Sequence, residues 1–257
     1  MEDKYTISET FTLPSHGKIY SEPINPEIEL RSMTTRDELK RTAPSKYMYK
    51  NLCETIEGCI VGTKPKVHVY DMCIGDFVFL LHKLRIVTYG SEYRLKVRCP
   101  NCKKIVTGVT DLKNETVLEW EDSIMDNLEF TLPRTGDKIK LKYTSPRMLD
   151  EIQLEKERRL EKAGDNAPDI DIGMQLTLQA LIDTVNGEKL TPSKLETYVD
   201  KLPALDMKCI LAKSEAVDGK LGLDTQIVVK CSNDKCGYDI VTSFRLEPEF
   251  FNPTIWR

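Results

Sequence analysis

The tetrapeptide Phe-Thr-Leu-Pro occurs twice in this chain, at residues 11–14 and 130–133, and a glycine, Gly17 or Gly136, stands three residues after each copy. Each copy leads the same order of segments. An alternating run follows, Ile28-Glu29-Leu30-Arg31 in the first half and Ile139-Lys140-Leu141-Lys142 in the second. Alternation of period two predicts half-buried strands. Helix starts come next, at Thr34-Thr35-Arg36-Asp37-Glu38 and at Thr144-Ser145-Pro146. Thr35 with Glu38 fits a capping box, and Ser145 before Pro146 fits an N-cap with proline at the first helical position. Both halves then run through helices into a strand, a cysteine pair and another strand. The expected fold is α+β, a tandem duplication of one α+β unit, with the first unit over residues 1–125 and the second over 126–257.

The cysteine pairs carry the chemistry. Residues 93–98 alternate apolar and basic and lead into Cys99-Pro100-Asn101-Cys102; Gln226–Lys230 leads into Cys231-Ser232-Asn233-Asp234-Lys235-Cys236. β-like runs follow at 105–109 and 238–244. A tight turn between strands is a knuckle: its thiolates converge while backbone amides bond to the sulfurs, and Lys103 and Lys104 are expected to help keep them deprotonated. Structural zinc takes four ligands, and each knuckle supplies two. Cys99, Cys102, Cys231 and Cys236 are therefore expected to bind one structural zinc ion, with the knuckles meeting in a zinc-ribbon-like site across a pseudo-two-fold axis. Two other readings remain open. A redox Cys-x-x-Cys usually opens a helix, whereas β-like runs flank this one; free buried thiols are the other. Cys53, Cys59, Cys73 and Cys209 lie in apolar stretches and read as small core residues.

The helical parts differ between the halves. The first is expected to hold a helix over 44–61, with Tyr47, Met48, Leu52, Ile56, Cys59 and Ile60 on one face, and a buried helix over Ile74–Tyr89. The second is expected to hold a long charged helix over Pro146–Ala163 that breaks at 164–168. Further helices are expected over 172–185, Pro192–Lys201 and 204–216. The candidate contact surfaces are the leader segments, the charged stretch 155–162 and the apolar Phe250-Phe251-Asn252-Pro253-Thr254-Ile255-Trp256.

Charge and motifs narrow the function. Lys and Arg number 37 against 41 Asp and Glu, a net charge of −4, so the chain lacks the broad basic field of a non-specific nucleic-acid binder. Lys96, Arg98, Lys103, Lys104 and Lys230 flank the knuckles, and this local patch supports an alternative, a zinc-ribbon nucleic-acid or transcription-machinery module. The longest apolar run is interrupted by Asp76, His82, Lys83 and Arg85, which no membrane span would tolerate. The start, Met-Glu-Asp-Lys, lacks an apolar signal region, and an intracellular protein is expected. No phosphate-binding glycine loop and no nucleophile elbow occurs. His16, His68 and His82 read as structural, and no enzymatic activity is expected; a thiol oxidoreductase is the remaining enzymatic reading.

An ordered set of short motifs carries a family resemblance. It comprises Leu13-Pro14-Ser15-His16-Gly17-Lys18-Ile19-Tyr20, Glu29-Leu30-Arg31, Thr34-Thr35-Arg36-Asp37-Glu38, Gly75-Asp76, Leu84-Arg85, Tyr89-Gly90 and Cys99-Pro100-Asn101-Cys102. This set resembles the baseplate hub assembly proteins of T-even-like tailed phages, over residues 8–125 directly and over the second half through the repeat. The resemblance implies a late phage protein, an assembly factor or built-in component of the tail baseplate without enzymatic activity. Its partners would be phage baseplate and hub proteins rather than a small-molecule substrate, a membrane or nucleic acid. It would be found in the host cytoplasm during assembly and in the virion if retained.

Overall fold

The structure is a computed structural model that describes residues 7–164, 169–243 and 248–251. Strands β1 (Ser8–Thr12) and β2 (Glu27–Arg31) form an antiparallel hairpin whose alternation buries Ile28 and Leu30. The leader turn between them is held by α3 (Ile74–Tyr89). The Ser15 amide donates to Asp76 Oδ1 at 3.0 Å, and the hydroxyls of Ser15 and Tyr20 donate to Oδ2 at 2.5 and 2.6 Å. The second leader is built alike. Strands β6 (Glu129–Thr131) and β7 (Lys138–Leu141) pair, and the turn amides of Arg134 and Thr135 donate to Asp206 at 2.8 and 2.9 Å. Asp206 is the third residue of α8 (Ala204–Asp218), as Asp76 is the third of α3.

A second parallel lies beside each hairpin. Helix α2 (Lys50–Cys59) ends at Ile60, which bridges Leu30 of β2. Helix α6 (Ile172–Leu181) ends at Ile182, which bridges Leu141 of β7. In the second half the bridge continues as strand β8 (Ile182–Val185) in a three-stranded sheet, order β6-β7-β8. The helix expected over 172–185 therefore stops at Leu181, because the free edge of β7 takes the last four residues as a strand.

Two other helix starts differ from expectation. In α1 (Thr35–Arg41) the capping box is made by Thr34 and Asp37, one residue earlier than Thr35 and Glu38; Glu38 instead pairs with Arg41 at 2.6 Å. The helix expected over 44–61 begins only at Lys50. Buried Asp150 of α5 (Pro146–Ala163) accepts from the amides of Met48, Tyr49 and Lys50 at 2.8–3.2 Å and so sets that start from outside, leaving Met48 73% exposed. Helix α5 has its expected bounds, with Ser145 capping the Met148 amide. It ends on Gly164 at φ 53°, and the rest of the expected break, 165–168, lies outside the described residues.

One continuous core runs from Leu13 to Phe251 and draws on both halves. Its centre is α3, where Phe77, Leu80, Leu81 and Leu84 are at most 1% exposed. Contacts also cross from half to half: β5 (Val117–Leu118) pairs with β9 (Gly222–Leu223), the Ile74 amide donates to Thr144 O at 2.8 Å, and Arg147 grips Asp71 at 2.5 and 2.9 Å. Phe250 and Phe251 pack into this core, Phe250 stacked on His82, whose ring lies against the Glu115 carboxylate. That part of the tail thus covers the protein's own interior, while 252–257 lie outside the described residues. The first leader is partly turned inward: Leu13, Pro14 and Ser15 are buried, and the Trp120 amide closes over Pro14 O at 2.9 Å, while Thr12 and Lys18 are exposed. Residues 133–136 of the second leader are exposed. Among the described residues, no helix is long and apolar enough to cross a membrane.

Candidate metal centre

Alternation along two strands aims the first cysteine of each pair inward. In β3 (Glu92–Arg98) Leu95 and Val97 face the interior, and Cys99 continues that parity. In β10 (Gln226–Lys230) Ile227 and Val229 do the same for Cys231. Their partners β4 (Ile105–Asp111) and β11 (Asp239–Ser243) complete two hairpins. Each ladder gains one rung past the strand, Cys99 N to Lys104 O and Cys231 N to Tyr238 O, both 2.9 Å. The chain then reverses, and the residue after the second cysteine is left-handed in both turns: Lys103 at φ 61° and Gly237 at φ 57°. The second pair has four intervening residues where the first has two. The extra length is taken up in the turn at Asn233, whose carbonyl accepts from Cys236 N at 2.7 Å, and the exit geometry is unchanged.

The hairpins pack with β4 against β10. Gly108 makes the approach possible, since a Cβ there would stand 1.9 Å from Val229 Cγ1. Beyond this seam lies a small core of its own, Cys99, Val106, Cys231 and Ile240. The four sulfurs of Cys99, Cys102, Cys231 and Cys236 all lie within 4.8 Å of one another. Two of these approaches are crosswise, Cys99 to Cys236 and Cys102 to Cys231, each 3.8 Å. A disulfide needs about 2.05 Å. The edge of a tetrahedron of sulfurs about 2.3 Å from a central ion is about 3.8 Å. The donor set thus has the span of a four-thiolate metal site.

Hydrogen bonding prepares the sulfurs. Cys102 is lowered to about 6, first by the backbone amide of Lys104 and then by the Asn233 side chain. Cys236 is lowered by the backbone amide of Tyr238 and by Asn101, whose Nδ2 lies 3.4 Å from its sulfur. Cys231 accepts from the Asn233 amide, which lowers it, but desolvation and the three neighbouring thiols push it up to about 12. Packing several thiolates together is costly unless a cation balances them, so the cluster suits a divalent ion. The amides do the work expected of lysine charge; Lys103 and Lys104 are exposed. Sequence reasoning missed Asn101 and Asn233. Each stands two residues after the first cysteine of its pair, and each reaches a cysteine of the other pair. That shared Cys-x-Asn was the available signal.

The remaining candidates lie elsewhere. Cys53 and Cys73 are buried with thiols pushed up by desolvation, and Cys59 is pushed up to about 11 by the same cause. Cys209 is partly buried against the core. Each histidine has a carboxylate neighbour away from the knuckles: Glu119 for His16, Glu57 for His68 and Glu115 for His82.

A family model described as T4 bacteriophage base plate protein matches residues 4–252. No curated protein and no solved structure matches the chain.

Proposed function

Because the chain belongs to the T4 bacteriophage base plate protein family, we propose that it is a non-enzymatic structural or assembly protein of the phage tail baseplate, stapled by one zinc ion on Cys99, Cys102, Cys231 and Cys236. It would act with other baseplate and hub proteins, during assembly in the host cytoplasm or as a component of the finished tail. The observation that carries the reading is the set of four sulfurs, two from each half, all within 4.8 Å of one another and with two crosswise pairs at 3.8 Å. Four thiolates close a zinc shell and leave no position for a reacting water, which suits a cross-link. The binding energy of such a site becomes folding energy, on the order of 10 kcal/mol.

The same reading takes the chain as a duplicated α+β unit, residues 1–125 and 126–257. Three pairs of matching features support it: the aspartates Asp76 and Asp206 on the leader turns, the bridges of Leu30 and Leu141, and the left-handed exits at Lys103 and Gly237. A second reading, a zinc-ribbon nucleic-acid module, draws on exposed Lys96, Arg98, Lys103 and Lys104.

Elemental analysis of protein purified without chelator tests the metal. We expect one zinc per chain, lost when any of the four cysteines is replaced by serine and kept in Cys209→Ser. Two ions per chain, or none, would overturn the shared site.

A further inference from the structure

We propose that the outer face of the β3–β4 hairpin docks an acidic, extended segment of a partner protein; the proposal rests on the baseplate reading. The inner face of this hairpin is used up against β10, through Gly108 and Val229. Among the described residues, nothing covers the outer face. Arg94, Lys96 and Arg98 project from β3, and Ile105, Thr107 and Val109 from β4, all exposed. The register sets Arg98 opposite Ile105, Lys96 opposite Thr107 and Arg94 opposite Val109. A row of cations therefore runs beside a row of methyl-bearing side chains.

Two features mark this face as built for contact. Ile105 is 68% exposed and Val109 55%, and single exposed apolar residues are ordinary, but here they form one row with the Thr107 methyl between them. Arg94 is tied to Glu92 at 2.7 Å, whereas Lys96, Arg98 and the adjoining Lys103 and Lys104 have no ion-pair partner among the described residues. Four cations without an ion-pair partner among the described residues, in a chain of net charge −4, call for an acidic partner. Alternate residues of a strand are about 6.7 Å apart, so an extended partner laid alongside repeats at the same spacing. Its carboxylates would meet the β3 row and its apolar side chains the β4 row. Nucleic acid fits less well: phosphates would use the cations, but the outer face carries no aromatic ring on which bases could stack, and Ile105 and Val109 would gain nothing.

The test is fluorescence anisotropy with the full, zinc-loaded chain and labelled dodecapeptides alternating Glu/Val, Gln/Val or Lys/Val, with single-stranded DNA beside them. The Glu/Val peptide should bind best. Lys96→Glu with Arg98→Glu should weaken it about tenfold or more, and Ile105→Ser with Val109→Ser about threefold or more. All four substituted side chains are on the surface, so both double variants should keep their zinc and melting temperature. Failure of the Glu/Val peptide to bind, equal binding of Lys/Val, or indifference to either double variant overturns the proposal. DNA binding tighter than the peptide and insensitive to Ile105 and Val109 would assign the face to nucleic acid instead. The baseplate reading is judged separately, by recovery of the wild-type chain with baseplates or their assembly intermediates. Recovery together with a failed peptide arm removes only the docking surface.

Discussion

Asp218 closes α8 at the end where a helix least favours a negative charge. Its carboxylate accepts from Thr144 Oγ1 at 2.8 Å, yet burial raises it to about 6, with Glu215 adding to the rise. The folded form therefore prefers the neutral acid. This group costs no stability below its unfolded value of about 4, and the penalty grows as pH rises to about 6 and then stays. Asp218→Asn keeps an acceptor for Thr144 and removes the charge. We expect it to stabilise the protein at pH 7 by about 2 kcal/mol and to change little at pH 4. Urea unfolding at the two values checks this, and an equal effect at both would refute it. Asp37 works in the opposite sense. Desolvation raises it, but hydrogen bonds from Arg31 and Thr34 outweigh this and hold it at about 2, so its contribution is lost as pH falls from about 4 toward 2. Gly108 is the other telling residue. Gly108→Ala should cost about 1–3 kcal/mol by overpacking the seam, and Val229→Ala in that background should recover part of the loss.

Elements in this fold take their ends from distant side chains. Asp76 and Asp206 do equivalent work on the two leader turns and both are fully buried, but Asp76 serves three donors and Asp206 two. Each donor that loses its buried acceptor is left with its desolvation cost. Asp76→Ala should therefore cost about 3 kcal/mol or more and Asp206→Ala less, about 2 kcal/mol. Denaturant melts of the two variants check the order, and equal losses would contradict it. Helix α3 was legible because Ile74–Tyr89 is apolar nearly all round, and β3 because its apolar and basic residues alternate. Residues 182–185 were not legible as strand. Their apolar pattern continues that of α6, and only the open edge of β7 converts them. The start of α2 at Lys50 was equally hidden, because Asp150, about 100 residues away, supplies the cap.

At the scale of the molecule, two cores of unequal size share the load. The large one joins both halves, while the small one beneath the cysteines has, among the described residues, four buried members, two of them cysteines. Chelation should therefore loosen the hairpin tips before the body. If the proposed zinc is bound, its removal should abolish amide-exchange protection at the knuckle ends of the two hairpins, around Cys99, Val106, Cys231 and Ile240, while α3 and the first residues of β10 stay protected, because α3, Ile227 and Val229 lie in the large core. Simultaneous loss in α3 would show that the metal holds the entire fold. The second prediction at this scale is the stoichiometry already stated, one zinc per chain.

Periodicity and spacing in the sequence already contained the strands that carry the cysteines, the central helix and the parallel order of segments in the two halves. Those features depend on neighbours a few residues apart, which alternation and helical repeat encode locally. Tertiary structure alone decided the crosswise pairing of sulfurs, the reciprocal reach of Asn101 and Asn233, the seam at Gly108 and the burial of Phe250 and Phe251. Each of these joins residues more than a hundred positions apart, or seats a tail against a core laid down much earlier in the chain. No local pattern carries that information, because such contacts exist only once the elements have packed.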